Sequence, residues 1–429
     1  MTSTTRSRES LDIVIVSQFF TPEMGAPAAR FHDFGSMLVE RGHRVVIVTG
    51  FPNSPSGRIP EAYKRRLRQR EIIDGIEVRR SWLYASPRLT ATTKILGFAS
   101  FAMSASLWAL LGRLRADVVV ATAPPPTVGI PGVLAARRLG APLVFDVRDI
   151  WPEAIASSGR LQSVPLIRTL EALERWIYRN SAAVTVVTEG KRERLMERGV
   201  PGEKLSVLPN GVDLARFDGV AADAGVLTRL GADPKRFRIL YAGVFNPAQG
   251  LDVLLDAAGK LRHQHPEHAA RAQFVLMGDG SEKRRLEQRC RDERLEGQVV
   301  FVPIQPREAI PSLLRAANAI AITLRPRRDT HTVPSKIYES LASARPLLVS
   351  ADGPPAEIVR DAEAGLATPA ADADALADAV RRLMDDPGQC ARFGEAGASY
   401  AAGFDRRKLV DGFEELLRQV AASRTRLSR

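Results

Sequence analysis

The sequence predicts an α/β protein made of two doubly wound domains of Rossmann type. Apolar runs with the length of buried strands alternate with helical segments along the chain. The same alternation restarts after a turn-rich stretch at 209–213, and 429 residues are enough for two domains with separate cores. Because alternating strands and helices form parallel sheets whose ligands bind at the strands' carboxyl ends, we expect two crevices that face each other across a cleft.

The first half contains six expected buried strands separated by helical segments. They are residues 12–16, 44–49, 117–121, 142–146, 183–187 and 205–208. One insertion interrupts the alternation: at 71–78 an Asp-Gly pair lies between short apolar runs, which predicts a β-hairpin. We therefore expect the first domain to span residues 1–208.

The second half contains five expected strands in the same rhythm. They are residues 238–241, 273–277, 299–302, 319–323 and 346–349. After Asp372 the pattern is helical to the end of the sequence. We therefore expect a second domain at 209–404 and a last helix, at about 405–429, that packs back on the first domain.

Composition and cysteine usage are those of an ordinary globular protein, with 45% hydrophobic and 26% charged residues. Cys290 and Cys390 are far apart, so neither a disulfide framework nor a cysteine metal site is expected. The acids at 372–374 fit a helix cap, and the histidines between 263 and 268 fit a solvated loop. We expect no metal cofactor, and the polar first ten residues lack the apolar core of a signal peptide.

The net charge of +12 is concentrated in one region of the first half. Residues 58–94 hold ten Lys or Arg against four Asp or Glu, and the run 64–70 contains five of the basic residues. An uncharged stretch follows at 95–112, which we expect to form a packed or interfacial helix and not a membrane span. Anionic lipid headgroups or a lipid-diphosphate substrate fit the basic run better than nucleic acid, for which no motif is present. A solvated basic face is the alternative.

The residues that follow the strand expected at 319–323 carry the clearest ligand signal. A basic loop at 325–328 precedes a short helix that begins near Ser335, whose positive end is expected at the sheet edge where a diphosphate binds. Lys336 and Glu339 share a face of that helix. We expect the lysine to meet phosphate charge and the glutamate to accept hydrogen bonds from ribose hydroxyls. The alternative is an ordinary surface helix with an ion pair.

Two strand ends in the first half also have residues typical of a site. A glycine and small residues between the first strand and its helix would let backbone N–H groups approach a phosphate or sugar, although such turns are commonly only structural. Three carboxylates and an arginine cluster at 146–153, which is costly unless they bind a ligand or pair with each other. We expect Gly25, Arg30, Arg148, Asp149 and Glu153 to belong to a site at these two strand ends.

Glycine-rich loops follow two of the strands in the second half. Residues 241–250 form a strand–loop–helix opening, and residues 277–281 place two glycines around an acid. Either could be a plain turn, but together with Lys336 and Glu339 they would line one crevice. The other residues expected in this crevice are Gly243, Gln249, Gly278, Gly280, Arg325, His331 and Ser335.

Taken in order, these motifs resemble glycosyltransferase family 4, the retaining nucleotide-sugar transferases of GT-B fold. The resemblance covers nearly the whole chain and is strongest to the branch of bacterial L-fucosamine-type transferases of O-antigen and capsule assembly. It rests on 22–25 (PEMG), 50–53 (GFPN), 148–152 (RDIWP), 209–213 (PNGVD), 248–250 (AQG) and 334–336 (PSK) with Glu339. It implies a GT-B fold whose second domain holds the donor and whose first holds the acceptor. On this resemblance we expect Lys336, Arg148 and Asp149 to act in catalysis. Gly25, Arg30 and Glu153 are then expected on the acceptor side, and the crevice residues of the second half on the donor side.

The chain departs from the wider family at three donor-site positions. The first glutamate of the family's E-x₇-E motif corresponds to His331, and its diphosphate-binding Arg and Lys correspond to Val244 and Gln249. The branch that the chain resembles shares these losses. A leaving diphosphate still requires cations and N–H donors, and Lys336 with the arginines of the 325–328 loop can replace the missing charges.

The residues and the resemblance together lead us to expect a cytoplasmic enzyme attached to the inner face of the cell membrane. It would move an N-acetylated hexosamine or deoxyhexosamine from a nucleotide donor, UDP in preference, to a polyprenyl-diphosphate-linked or glycan acceptor of cell-surface polysaccharide. Anionic lipid is an expected partner, nucleic acid is not, and the oligomeric state stays open. Two alternatives share the architecture: a UDP-sugar 2-epimerase and a non-catalytic nucleotide-sugar-binding scaffold.

Overall fold

The computed structural model describes residues 10–23, 25–54, 56–88, 90–151, 153, 164–326 and 331–427. The chain divides into two compact units. The first unit consists of residues 1–209 and 407–429, and the second of residues 210–406. The last helix of the chain therefore belongs to the first unit.

The first unit is built on an eight-stranded sheet in the order β3-β4-β2-β1-β5-β6-β7-β8. Only β3 is antiparallel, and it pairs with β4 through the expected hairpin, whose turn residues Asp74 and Gly75 both have positive φ. The strands are β1 Asp12–Ser17, β2 Arg44–Gly50, β3 Arg68–Ile73, β4 Ile76–Ser81, β5 Val118–Ala123, β6 Leu143–Val147, β7 Ala183–Val186 and β8 Leu205–Val207. The six strands expected in this half are thus confirmed.

Helices of the first unit cover the apolar faces of this sheet. They are α1 Ala26–Glu40, α2 Ala91–Leu111, α3 Gly129–Leu139, α4 Val164–Asn180 and α5 Glu189–Glu197, with the last helix, α15 Arg406–Leu427. Helix α15 places Val410, Phe413 and Leu417 in the core beside α1. Phe413 packs against Phe34 with ring centroids 5.6 Å apart, so this helix is part of the first unit's core.

Helix α2 begins four residues before the uncharged stretch and contains all of it except Gly112, which follows the last helical residue. Within the described residues it is the one helix long and apolar enough to cross a membrane by length and composition, and 33% of its most apolar window is buried. Its inner face, with Phe101, Ala105 and Trp108, belongs to the core of the first unit.

The second unit is built on a six-stranded, fully parallel sheet in the order β11-β10-β9-β12-β13-β14. The strands are β9 Phe237–Ala242, β10 Ala272–Met277, β11 Val299–Val302, β12 Ala319–Thr323, β13 Leu347–Ser350 and β14 Gly365–Thr368. The five expected strands are confirmed, and β14 is an additional edge strand. The order reverses between β9 and β12, which is the position where doubly wound sheets open a ligand crevice.

The helices of the second unit alternate with its strands, as expected. They are α6 Ala224–Arg229, α7 Asp252–Gln264, α8 Pro266–Arg271, α9 Lys283–Asp292, α10 Ile310–Ala316, α11 Lys336–Ala342, α12 Pro354–Asp361, α13 Ala373–Asp385 and α14 Pro387–Ala401. Asp372 caps α13, since its carboxylate accepts from the N–H of Ala375 at 2.9 Å. The capping interpretation of the acids at 372–374 is therefore confirmed for Asp372.

Candidate functional site

Two loops of the second unit meet at the switch point of its sheet. One follows β9 and the other follows β12. The N–H of Arg325 donates to the carbonyl oxygen of Ala248 at 3.0 Å, which joins them. Gly250 makes this approach possible, because a Cβ there would lie 2.9 Å from the nitrogen of Arg325 and its φ is +60°.

Lys336 reaches from the start of α11 into the loop after β9. Its Nζ donates to Oε1 of Gln249 at 2.9 Å and lies 3.9 Å from the centre of the Tyr241 ring. It also lies against Gly243, where a Cβ would come within 2.8 Å of Nζ. Burial lowers the pKa of this amine to about 7. The structure thus brings together three predicted donor-side residues: Lys336, Gln249 and Gly243.

Gly278 and Gly280 pack against the loop after β9 instead of lining open space. A Cβ on Gly278 would lie 1.9 Å from the carbonyl oxygen of Gly243, and one on Gly280 would lie 2.2 Å from that of Phe245. The N–H of Phe245 donates to the carbonyl of Asp279 at 2.8 Å across the same contact. In this structure, therefore, the two glycines shape the loop after β9 by allowing backbone-to-backbone packing.

Glu339 lies one helical turn beyond Lys336, and both line a cavity of about 30 Å³. The other walls of this cavity are mainly apolar and include Ala242 and Ile320. Among the described residues, none forms a hydrogen bond or ion pair with the Glu339 carboxylate. The carboxylate is thus available to an incoming hydroxyl donor.

The remaining donor-side predictions have mixed outcomes. Ser335 occupies the position before α11, but its hydroxyl makes no capping hydrogen bond, so the expected side-chain cap is wrong. Arg325 is exposed at the sheet edge and His331 is half-buried. Arg327 and Arg328 lie outside the described residues.

Each carboxylate expected to cluster at 146–153 has a cationic partner from a helix. Asp146 is fully buried beside Arg30 of α1, and Glu153 pairs with Arg194 of α5, with Nη2 and Oε1 2.8 Å apart. Lys191 of α5 lies 3.4 Å from Asp149 and donates to the carbonyl of Arg148. The acids are thus paired with cations distant in the sequence, and their place in a ligand site stays a prediction.

Arg30, expected beside the acceptor, is 1% exposed. Its guanidinium lies 3.4 Å from Asp146 and donates to the carbonyl oxygens of Leu208 and Pro209 at 2.8 and 2.6 Å. The structure therefore corrects that expectation: Arg30 holds α1 to the end of the sheet. Gly25 begins α1 with φ of +124°, a conformation that favours glycine.

Glu23 lies in the PEMG motif, and the sequence alone indicates no role for it. Its buried carboxylate accepts from the N–H groups of Asn53 and Ser54 at 2.8 and 2.9 Å and of Phe20 at 3.2 Å. Burial raises its pKa to about 7. Glu23 thus joins the loop after β1 to the loop after β2. The sequence signal available for this contact was that each loop contains a motif, PEMG in the first and GFPN in the second.

Tyr241 is the other residue that sequence reasoning missed. Its hydroxyl lies 3.0 Å from both Gln249 Oε1 and the carbonyl oxygen of Val244, and its ring lies beneath Lys336. A tyrosine near the end of an apolar strand was the available signal, because a buried phenol needs a hydrogen-bond partner.

No group of three or more His, Cys, Asp or Glu side chains suited to a metal ion occurs in the described part of the chain. The histidine region contains an ordinary surface contact, since His268 Nε2 lies 2.8 Å from Asp385 Oδ1.

Comparison with known proteins gives two family matches along the chain. The glycosyl transferase 4-like domain matches residues 25–211, and glycosyl transferases group 1 match residues 228–400. The chain is 26% identical over 352 residues to the putative colanic acid biosynthesis glycosyl transferase WcaI of Escherichia coli K12, covering 80% of this chain and 84% of that protein.

Solved structures resemble the chain over nearly its full length. Sucrose-phosphate synthase from Thermosynechococcus elongatus has a TM-score of 0.75 at 19% identity, covering 96% of this chain and 99% of that one. The Anabaena protein HepE in complex with UDP-glucose has a TM-score of 0.70 at 19% identity, covering 95% and 100%. At these identities the structural likeness establishes the fold alone.

Proposed function

Because the chain belongs to the glycosyltransferases of GT-B fold, with a 4-like domain followed by a group 1 domain, we propose that it transfers a sugar from UDP to a lipid-linked acceptor. The expected fold, family and enzyme class are confirmed, while the fucosamine-type branch, the donor and the acceptor are part of the proposal. Two comparisons support these parts of the proposal. WcaI is named for colanic acid biosynthesis, and HepE was solved with UDP-glucose.

The observation that carries the donor proposal is the position of the Lys336 amine. The related enzymes' diphosphate-binding lysine corresponds to Gln249, and Lys336 Nζ lies 2.9 Å from the amide oxygen of that residue. The amine of Lys336, on α11, therefore lies close to the position that the side chain of a lysine at 249 would reach. Gly243 leaves room for it, and Glu339 lies one turn away to meet the ribose.

In the proposed reaction the bond between the anomeric carbon and the donor diphosphate breaks while the acceptor hydroxyl oxygen bonds to that carbon on the same face. The hydroxyl proton passes to the leaving phosphate oxygen, so no covalent nucleophile is needed. Charge grows on the diphosphate as the bond breaks, and Lys336 stabilises that charge. The transferred sugar is proposed to be an N-acetylated hexosamine or deoxyhexosamine.

A transfer assay tests this function. The purified protein, a polyprenyl-diphosphate-linked N-acetylhexosamine and a set of UDP-sugars should give glycosylated lipid by mass spectrometry, with release of UDP.

Activity should survive EDTA, because Lys336 supplies charge at the diphosphate and no strand-end acid cluster has metal-ligand spacing. Strict dependence on magnesium or manganese would contradict this prediction. Epimerisation of UDP-sugar without acceptor would favour the 2-epimerase, and donor binding without chemistry would favour the scaffold.

We also propose that the first unit attaches peripherally to anionic membrane through α2 and the basic run. The outer face of α2 is apolar although exposed, with its large side chains 43–69% accessible; they are Ile95, Leu96, Met103, Leu107, Leu110 and Leu111. Arg68 and Arg70 lie 5.3 and 5.2 Å from the ring of Trp108 on α2, so the basic strand adjoins this helix. An apolar helix face beside exposed cations fits a lipid interface with anionic headgroups.

Vesicle flotation at increasing salt tests this attachment. Each basic residue near an anionic surface contributes about 1 kcal/mol, so high salt should release part of the bound protein, while the α2 contact should retain the rest. Glutamine at Lys64, Arg65, Arg66, Arg68 and Arg70 should weaken binding to anionic vesicles, whereas Arg284→Gln on α9 serves as the control. Equal binding to neutral and anionic vesicles, or binding to neither, would contradict the electrostatic part.

A further inference from the structure

The Lys336 amine is enclosed by uncharged groups. Its hydrogen-bond acceptor is the amide oxygen of Gln249 at 2.9 Å, and the ring face of Tyr241 lies 3.9 Å away. The same amide oxygen is 3.0 Å from the Tyr241 hydroxyl, which fixes the amide's orientation. Among the described residues, no carboxylate forms an ion pair with this amine.

Among the described residues, five charged or titratable side chains lie on the segments that surround the amine. They are Tyr241 on β9, Asp279 after β10, Arg325 and His331 after β12, and Glu339 on α11. Helix α10 faces the shared cavity with the apolar side chains of Ile310 and Leu314. Burial lowers the pKa of Lys336 to about 7, and it is the one cause found among the described residues.

A buried ammonium without an anion is costly, and a neutral amine avoids that cost. The ring face and the amide oxygen attract an ammonium, but neither carries a full negative charge, so they offset only part of the lost hydration. A diphosphate changes this balance because it brings the missing negative charge to the amine. The charged form is then favoured in the complex.

We propose that binding of a nucleoside diphosphate to this site takes up one proton at the amine of Lys336, with Gln249 as the residue that positions the amine. The inference rests on the proposed function of this site as the donor site. The proton comes from solvent, adds to the lone pair of Nζ, and leaves again when the nucleotide dissociates. Donor binding is therefore linked to pH through Lys336.

The sign of the pH dependence follows from the lowered pKa. Below about pH 7 the amine is already charged in the empty site, and binding requires no proton. Above that value the empty site is mainly neutral, so affinity should fall by up to about tenfold per pH unit until the pKa of the complex is reached. At pH 8 the empty sites are therefore expected to be mostly neutral.

Calorimetric titration of the full chain with UDP at pH 8, in buffers of different ionisation enthalpy, measures the proton count directly. The phosphates of UDP are ionised at this pH, since the second phosphate pKa is about 6. We expect an uptake of about 0.9 proton per UDP. Lys336→Arg, which stays charged, should bind UDP with no uptake and no dependence on pH between 7 and 9.

Gln249→Glu provides the second test, because it puts a carboxylate beside the amine. The ammonium should then form in the empty site, and proton uptake should disappear while the protein stays folded. UDP binding to the wild type without proton uptake, or unchanged uptake in either variant, would overturn the inference and leave the proposed function standing. Absence of any UDP binding would overturn both.

Discussion

Replacing Lys336 with methionine should lower kcat for glycosyl transfer by about 10²- to 10³-fold, the effect of removing one preorganised donor from a developing negative charge. Methionine retains the length of the side chain and its packing over Tyr241, and it loses the only charge that contacts Gln249 within the described residues. The loss should appear in kcat more than in the donor KM, because the diphosphate gains charge as the glycosidic bond breaks.

Steady-state measurement of UDP release with varied donor separates these effects. Lys260→Met on α7 is the matched control: it removes an exposed lysine whose ion pair is with Asp374, at 2.9 Å, and not with the loops after β9 or β12. Its kinetics should match the wild type. If Lys336→Met raises only KM, then the lysine contributes to ground-state binding and not to the chemical step.

Replacing Arg30 with methionine should destabilise the protein by about 3–5 kcal/mol, because it leaves a buried carboxylate without its cation. Asp146 is fully buried and would keep only the hydroxyls of Thr122 and Thr185, each at 2.8 Å. The carbonyl oxygens of Leu208 and Pro209 would lose their donor as well. Urea unfolding followed by circular dichroism measures the loss.

Two further variants show whether burial is the cause. Arg44→Met removes an arginine that is 46% exposed and pairs with Asp12 and Glu77, so it should cost less than about 1 kcal/mol. Asp146→Asn added to Arg30→Met should recover part of the stability, because it removes the unpaired charge. Equal losses for Arg30→Met and Arg44→Met would contradict the structural role of Arg30.

Strand positions could be predicted from the sequence because each strand's own residues determine its burial. The runs that form β1 and β10 are continuous apolar segments bounded by turns, and the Asp-Gly pair at 74–75 specifies its hairpin locally. Strand β14 was missed because it is short, with the four residues Gly365–Thr368, and because most of them are only partly buried at a sheet edge. Local patterns of that kind carry little information.

Side-chain partners that are distant in the sequence could not be predicted in the same way. Lys336 meets Gln249 across 87 residues, and Arg30 meets Asp146 across 116. Both contacts depend on the order of strands in the sheet. The sequence therefore indicates the residue types near the strand ends, but it shows the acids at 146–153 only as neighbours along the chain. Their pairing with cations of α1 and α5 depends on the fold.

We propose that the donor nucleotide binds at the switch point of the second sheet, with its diphosphate on Lys336 and its ribose on Glu339. A crystal structure of the full chain with UDP would locate the nucleotide. We expect a phosphate oxygen within about 3 Å of Lys336 Nζ and a ribose hydroxyl at the same distance from the Glu339 carboxylate. UDP bound elsewhere, or bound at this edge while Lys336 keeps only its contact with Gln249, would contradict it.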